Sequence, residues 1–210
     1  MDDGIDQNCT GFDLVTCEGI YGSDFPDAAN CGIINGGLEI GDGDDLTEFG
    51  SLRVINGFLW MENQPEISAL SFPELTTVTD VVAIAANADL TSLSFPNLTS
   101  IGNDISIRFN DALTVFDFPS LVDVGGGLDV RSNPSLTSFS FDALTTVGTT
   151  MQISQNERLT SFSFASLERV ESVVTVGDNA KLCTGFVHAF FETIASGTEG
   201  LSDSGNNDDC

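Results

Sequence analysis

Between Asn56 and Val170 the chain repeats itself every 23 residues without a gap. Five complete copies start at Asn56, Thr79, Gly102, Gly125 and Gly148, and a sixth starts at Glu171 and breaks after Leu182. Laid under one another, the copies agree at fixed positions. The fourth position reads Leu59, Val82, Ile105, Leu128, Met151, Val174, and the sixth reads Met61, Ile84, Ile107, Val130, Ile153, Val176. The ninth reads Gln64 and then Asn87, Asn110, Asn133, Asn156, Asn179. The seventeenth is Phe72, Phe95, Phe118, Phe141, Phe164. A period of this length predicts a solenoid, because one unit cannot bury its apolar side alone and must stack on its neighbours.

The alternation at positions four to six predicts a short strand of period two. Strands one period apart and in register stack as a parallel β-sheet, about 4.8 Å per rung. The pattern Leu-x-Leu-x-x-Asn is that of a leucine-rich repeat. The asparagines fit an inward turn after the strand, where their amides satisfy backbone groups of adjacent rungs. That makes them structural. The Phe column, with Leu70, Leu93, Phe116, Phe139 and Phe162 two positions earlier, predicts the opposite wall of the core. Pro73, Pro96 and Pro119 follow the Phe column and predict an irregular back wall of short extended or turn segments rather than helices.

The ends differ from the middle. Residues 1–34 read as an acidic segment and N-terminal cap, 35–182 as the solenoid, and 183–210 as a C-terminal cap. Leu38, Ile40, Leu52 and Ile55 outline a shorter first rung. From Thr184 to Ala195, Phe186, Phe190 and Ile194, and also Val187 and Phe191, fall at helical spacing. Thr184 stands where an N-cap is expected and Gly197 where the helix would stop. The tail then returns, with a Cys183–Cys210 disulfide closing it. Cys9, Cys17 and Cys31 lie before the repeats, and their pairing is open. Cysteines that flank a solenoid suit disulfide-stapled caps on a secreted or cell-surface protein. Capped ends do not polymerise readily, so a monomer is expected.

Charge narrows the partners. Thirty-two acidic residues against six basic ones leave a formal charge of −26, which disfavours nucleic acid and anionic membrane surfaces. No apolar run approaches a membrane span. His188 is the only histidine, so His-based metal clusters and catalytic triads lack material, and the chain reads as a binding module rather than an enzyme. The outward positions of the strands hold Phe58, Trp60, Glu62, Val81, Arg108, Phe109, Asp129 and Arg131. Exposed aromatics beside arginine suit recognition of a protein or glycan, so these residues are the candidate binding face. A second array, Ser68, Thr91, Thr114, Thr137, Thr160 with Ser71, Ser94, Ser140, Ser163, repeats small hydroxyls every rung and offers an alternative, an ice-binding lattice. A third reading is a structural spacer in a surface assembly. No cofactor is expected. Asp42, Asp44 and Asp45 are candidate calcium ligands, although the EF-hand spacing is absent and a solvated acidic turn is the stronger reading.

Segments such as LTSLSFPNLTSIGNDISI (90–107) and LTVFDFPSLVDVGGGLDV (113–130) resemble the receptor L-domain type of leucine-rich repeat, found in the ectodomains of growth-factor and insulin receptors and in bacterial surface proteins. The opening CGIINGGLEI (31–40) is similar to the start of that family, and NAKLC (179–183) with SGNNDDC (204–210) is similar to the closing cap of prokaryotic members. The resemblance implies a parallel-sheet solenoid that binds and does not catalyse.

Overall fold

The computed structural model describes residues 15–20, 31–41, 46–194 and 200–210. It is a solenoid of about seven turns, and each central rung contributes one strand to each of three parallel sheets. The front sheet has eight strands, from Leu38–Ile40 at one edge through Leu59–Glu62, Val82–Ala85, Ile105–Arg108, Leu128–Arg131, Met151–Ser154 and Val173–Gly177 to Gly200–Ser204. The register is the sequence period itself: Leu59 faces Val82, Ile105 faces Leu128, and Met151 faces Val174.

The expected irregular back wall is two further sheets. A five-stranded back sheet stacks Ala69–Ser71, Ser92–Ser94, Val115–Asp117, Ser138–Ser140 and Ser161–Ser163. An eight-stranded side sheet includes Thr77–Val78, Ser100–Ile101, Asp123–Val124, Thr146–Val147 and Arg169–Val170. The prolines do not prevent this. Pro73, Pro96 and Pro119 fall in the turns just after the back strands, where no N–H is needed for the ladder.

The core between the sheets is two columns of rings. Phe72, Phe95, Phe118 and Phe141 are fully buried, and the column from Phe72 to Phe164 stacks with centroids 5.0–5.5 Å apart. Phe116, Phe139 and Phe162 form a second column, edge-on to the first. Both ends of the first column are closed by rings from outside the repeat: Phe49, on the 3₁₀ helix Leu46–Ser51, covers Phe72 at 5.6 Å, and Phe190 covers Phe164 at 5.6 Å.

At the front corner, Asn87, Asn110, Asn133, Asn156 and Asn179 are wholly buried. Each amide nitrogen donates to the backbone carbonyl 26 residues earlier, from Asn87 to Met61 through Asn179 to Ile153. Each amide oxygen accepts from the backbone N–H of the preceding rung, 3.0–3.2 Å away. The turn that aims these side chains inward uses a left-handed residue in every rung: Asn63, Ala86, Phe109, Ser132, Gln155 and Asp178 all have φ between 54 and 58°. Such a backbone is uncommon for residues other than glycine, least so for Asn63 and Asp178, and the satisfied ladder holds it. At the next corner, rungs approach so closely that a Cβ on Gly125 would lie 2.3 Å from the Gly102 carbonyl oxygen.

The solenoid is longer than the sequence period. On the N-terminal side, Val15–Glu18 and Cys31–Asn35 extend the side sheet, joined by a Cys17–Cys31 disulfide. On the C-terminal side, Gly200–Ser204 forms one more front strand beside Val173–Gly177, and Asn206 continues the ladder by accepting from Asn179 N–H and donating to the Val176 carbonyl. Helix Thr184–Ile194 replaces the back strand of the sixth rung. It buries Val187, Phe190, Phe191 and Ile194 and caps the ring columns, as its spacing predicts. Thr184 does not act as the N-cap; its hydroxyl lies within hydrogen-bond reach of the Asn207 carbonyl and of Asp208 Oδ1 and donates to one of them, tying the helix start to the tail. The Cys183–Cys210 disulfide is formed as expected. Cys9 and the proposed calcium ligands Asp42, Asp44 and Asp45 lie outside the described residues.

The ladder makes a quantitative prediction. Asn110→Ala would leave the Asn87 N–H and one Asn87 amide proton without an acceptor and remove one of the donors to the Ile84 carbonyl. At about 1–3 kcal/mol for each buried orphan, urea unfolding should show a loss of at least ~2 kcal/mol. Thr137→Ala removes an exposed hydroxyl and should cost under ~1 kcal/mol.

Candidate functional site

The outer face of the front sheet is not flat. Along position five of the repeat, neighbouring rungs place Trp60, Ala83, Ser106, Asp129 and Gln152 side by side. A tall residue at one end is followed by small ones, and the result is a hollow of about 460 Å³, within the range of small-ligand sites. Trp60, Glu62, Val81, Ala83, Asp104, Ser106, Arg108, Gly127, Asp129, Thr150 and Gln152 line it, with Ile105 and Leu128.

Trp60 is 42 % exposed. It packs against Phe58, just before the same strand, whose ring centroid is 4.2 Å away. Phe58 in turn lies over Gly37, where any Cβ would meet its ring at 2.2 Å. Gly37 therefore creates the seat for Phe58, and Phe58 the support for Trp60.

Charge around the hollow is arranged in pairs. Arg108 reaches Glu62 at 3.8 Å, two rungs away across the Ala85 rung, and Ala85 is accordingly buried. Arg131 Nε lies 3.0 Å from Asp129 Oδ2, close enough for an ion pair but off the hydrogen-bond direction. Asp104 Oδ1 accepts from the Gly127 N–H at 2.6 Å. Three buried side-chain atoms in this neighbourhood have no hydrogen-bond partner: Ser106 Oγ, Asp129 Oδ1 and Arg131 Nε. Burial pushes the Asp129 carboxyl above its ordinary range, while Arg131 and then Arg108 pull it the other way.

Of the eight residues expected on this face, Trp60, Glu62, Val81, Arg108 and Asp129 meet in one hollow. Phe58 stands behind Trp60, and Arg131 flanks Asp129. Phe109 is 51 % exposed at the left-handed corner, away from the hollow. Asp104, Ser106, Gly127, Thr150 and Gln152 complete the lining. They occupy the same outward positions as the expected residues, and the drop in side-chain size from Trp60 to Gly127 is the signal that marks them. The Ser/Thr array lies on and beside the back sheet, interrupted by Asp117. Thr91, Thr137 and Thr160 donate to the carbonyls of Ser68, Thr114 and Thr137 one rung earlier, so these hydroxyls brace the rungs. His188 pairs with Asp203 at 2.7 Å, joining the helix to the last front strand.

A scan against protein-family models matches residues 30–118, under half of the 210-residue chain, to the receptor L domain. The match covers the first rungs, including Trp60, Ser106 and Arg108. Comparisons with curated proteins and with solved structures found no match.

The Asp129 environment predicts a pH effect. Its folded pKa lies above the ordinary value of 3.8, so the ionised form costs stability at neutral pH and that cost is relieved as pH falls through the folded value. Asp129→Asn should melt no lower than the parent at pH 7, and any difference in its favour should shrink as pH approaches 3.8. A variant melting several degrees lower at pH 7 would show that the Arg131 pair outweighs desolvation.

Proposed function

With residues 30–118 assigned to the receptor L domain, a non-catalytic ligand-binding family of surface receptors, we propose that this protein is an extracellular binding module. It is secreted or held at a cell surface, and it captures a protein or glycan on its front sheet. The observation that carries this reading is the hollow beside Trp60, where an exposed aromatic, paired charges and unpartnered polar atoms converge on one face. Hot spots of recognition surfaces have this composition. The two disulfides suit an oxidising compartment, and no helix among the described residues is long and apolar enough to cross a membrane.

Immobilised protein would be screened against arrays of extracellular proteins and surface glycans. Bound ligands should lose at least tenfold in affinity with Arg108→Glu or Val81→Arg on the front face. Thr114→Tyr on the back sheet should leave affinity unchanged. Ligands that respond to the back-sheet variant and not to the front-face variants would overturn the assignment of the face.

A further inference from the structure

We propose that the hollow takes a neutral saccharide, with one sugar ring stacked on Trp60 and its hydroxyls hydrogen-bonded to Ser106 and Asp129. The inference rests on the front-face reading above and names the ligand class for it.

Shape is the first argument. A hollow of about 460 Å³ is large enough for a small ligand and too confined for the broad contact of a folded protein. One wall is an indole packed against the ring of Phe58. The floor beside it is stepped down by Ala83 and Gly127. The electron-rich face of an indole attracts polarised C–H groups, and one side of a sugar ring presents a sheet of them.

Hydrogen bonding is the second. Ser106 Oγ and Asp129 Oδ1 are buried without partners, a costly state that rotation of either side chain toward a bound hydroxyl would relieve. Asp129 Oδ1, when ionised, only accepts, whereas Ser106 Oγ both donates and accepts. A ligand rich in hydroxyls supplies both functions over a short span; an aliphatic or aromatic ligand supplies neither.

Charge is the third. Glu62, Asp104 and Asp129 outnumber Arg108 and Arg131 around the hollow, and the chain as a whole carries −26. Both guanidiniums are already engaged by carboxylates. A phosphate, sulfate or uronate would have to displace those pairs against a repulsive field, so the neutral form of a sugar is favoured over its acidic form.

Trp60 is the only tryptophan in the chain, so selectively excited tryptophan fluorescence reports on this hollow alone. The protein would be titrated with glucose, galactose, mannose, N-acetylglucosamine and their β-linked and α-linked disaccharides, with glucuronate and galacturonate as acidic controls. A saturable change is expected for at least one neutral sugar, with the matching uronate at least tenfold weaker. Ser106→Ala and Asp129→Asn should each weaken binding at least tenfold. Saturation-transfer NMR should lose the sugar signal in Trp60→Ala and in Val81→Trp, which fills the rim. The proposal is overturned if no neutral sugar saturates, or if binding survives these substitutions. Should neutral sugars fail while a protein ligand still depends on Arg108 and Val81, the saccharide assignment falls and the front-face reading stands.

Discussion

The buried asparagine ladder is the interaction on which the remainder of the solenoid depends. Three sheets of two- to five-residue strands have little cohesion singly. Asn87, Asn110, Asn133, Asn156 and Asn179 tie each rung to the preceding one twice, by accepting from its corner N–H and by donating to a carbonyl of its front strand. They fix the pitch at one strand spacing. That pitch also suits stacked phenyl rings, whose centroids lie 5.0–5.5 Å apart. Hydrogen-bond spacing at one corner and ring spacing at another thus agree, and neither column could hold its geometry if the repeat gained or lost a residue.

A fixed pitch has a consequence for the surface. Because outward residues sit one above another at equal intervals, relief on the front sheet is set by side-chain size alone. Trp60 next to Ala83 makes a wall and a step; Glu62 can reach Arg108 because Ala85 lies between them. The hollow therefore needs no loop or insertion. It is a local variation in side-chain volume on a regular lattice, which places its residues on the front strands and at the positions immediately before them.

Much of this was legible in the sequence, because inward positions repeat and repetition carries the signal. The front strands, the asparagine corner, the Phe column and the helix from Thr184 follow from periodicity. Three features did not. The back and side strands are only two or three residues long in the central rungs, too short for alternation to register against the prolines beside them. The last front strand, Gly200–Ser204, keeps the geometry of the repeat without its spacing, since helix Thr184–Ile194 is inserted ahead of it. The left-handed corner carries six different residue types across its rungs, Asn63 to Asp178, so no composition marks it. At the site, Trp60 and Arg108 stand out by chemistry. Ser106 and Gly127 do not, and their importance lies in what the neighbouring rungs place around them.

Native-state hydrogen exchange tests the ladder most directly. If the ladder sets the pitch of the whole solenoid, the backbone amides of Asn87, Asn110, Asn133 and Asn156, which donate to the next ladder oxygen, should be among the slowest to exchange. They should do so only through global unfolding. Exchange of these amides at the rate of the surface turns, while the Phe column stays protected, would contradict the account.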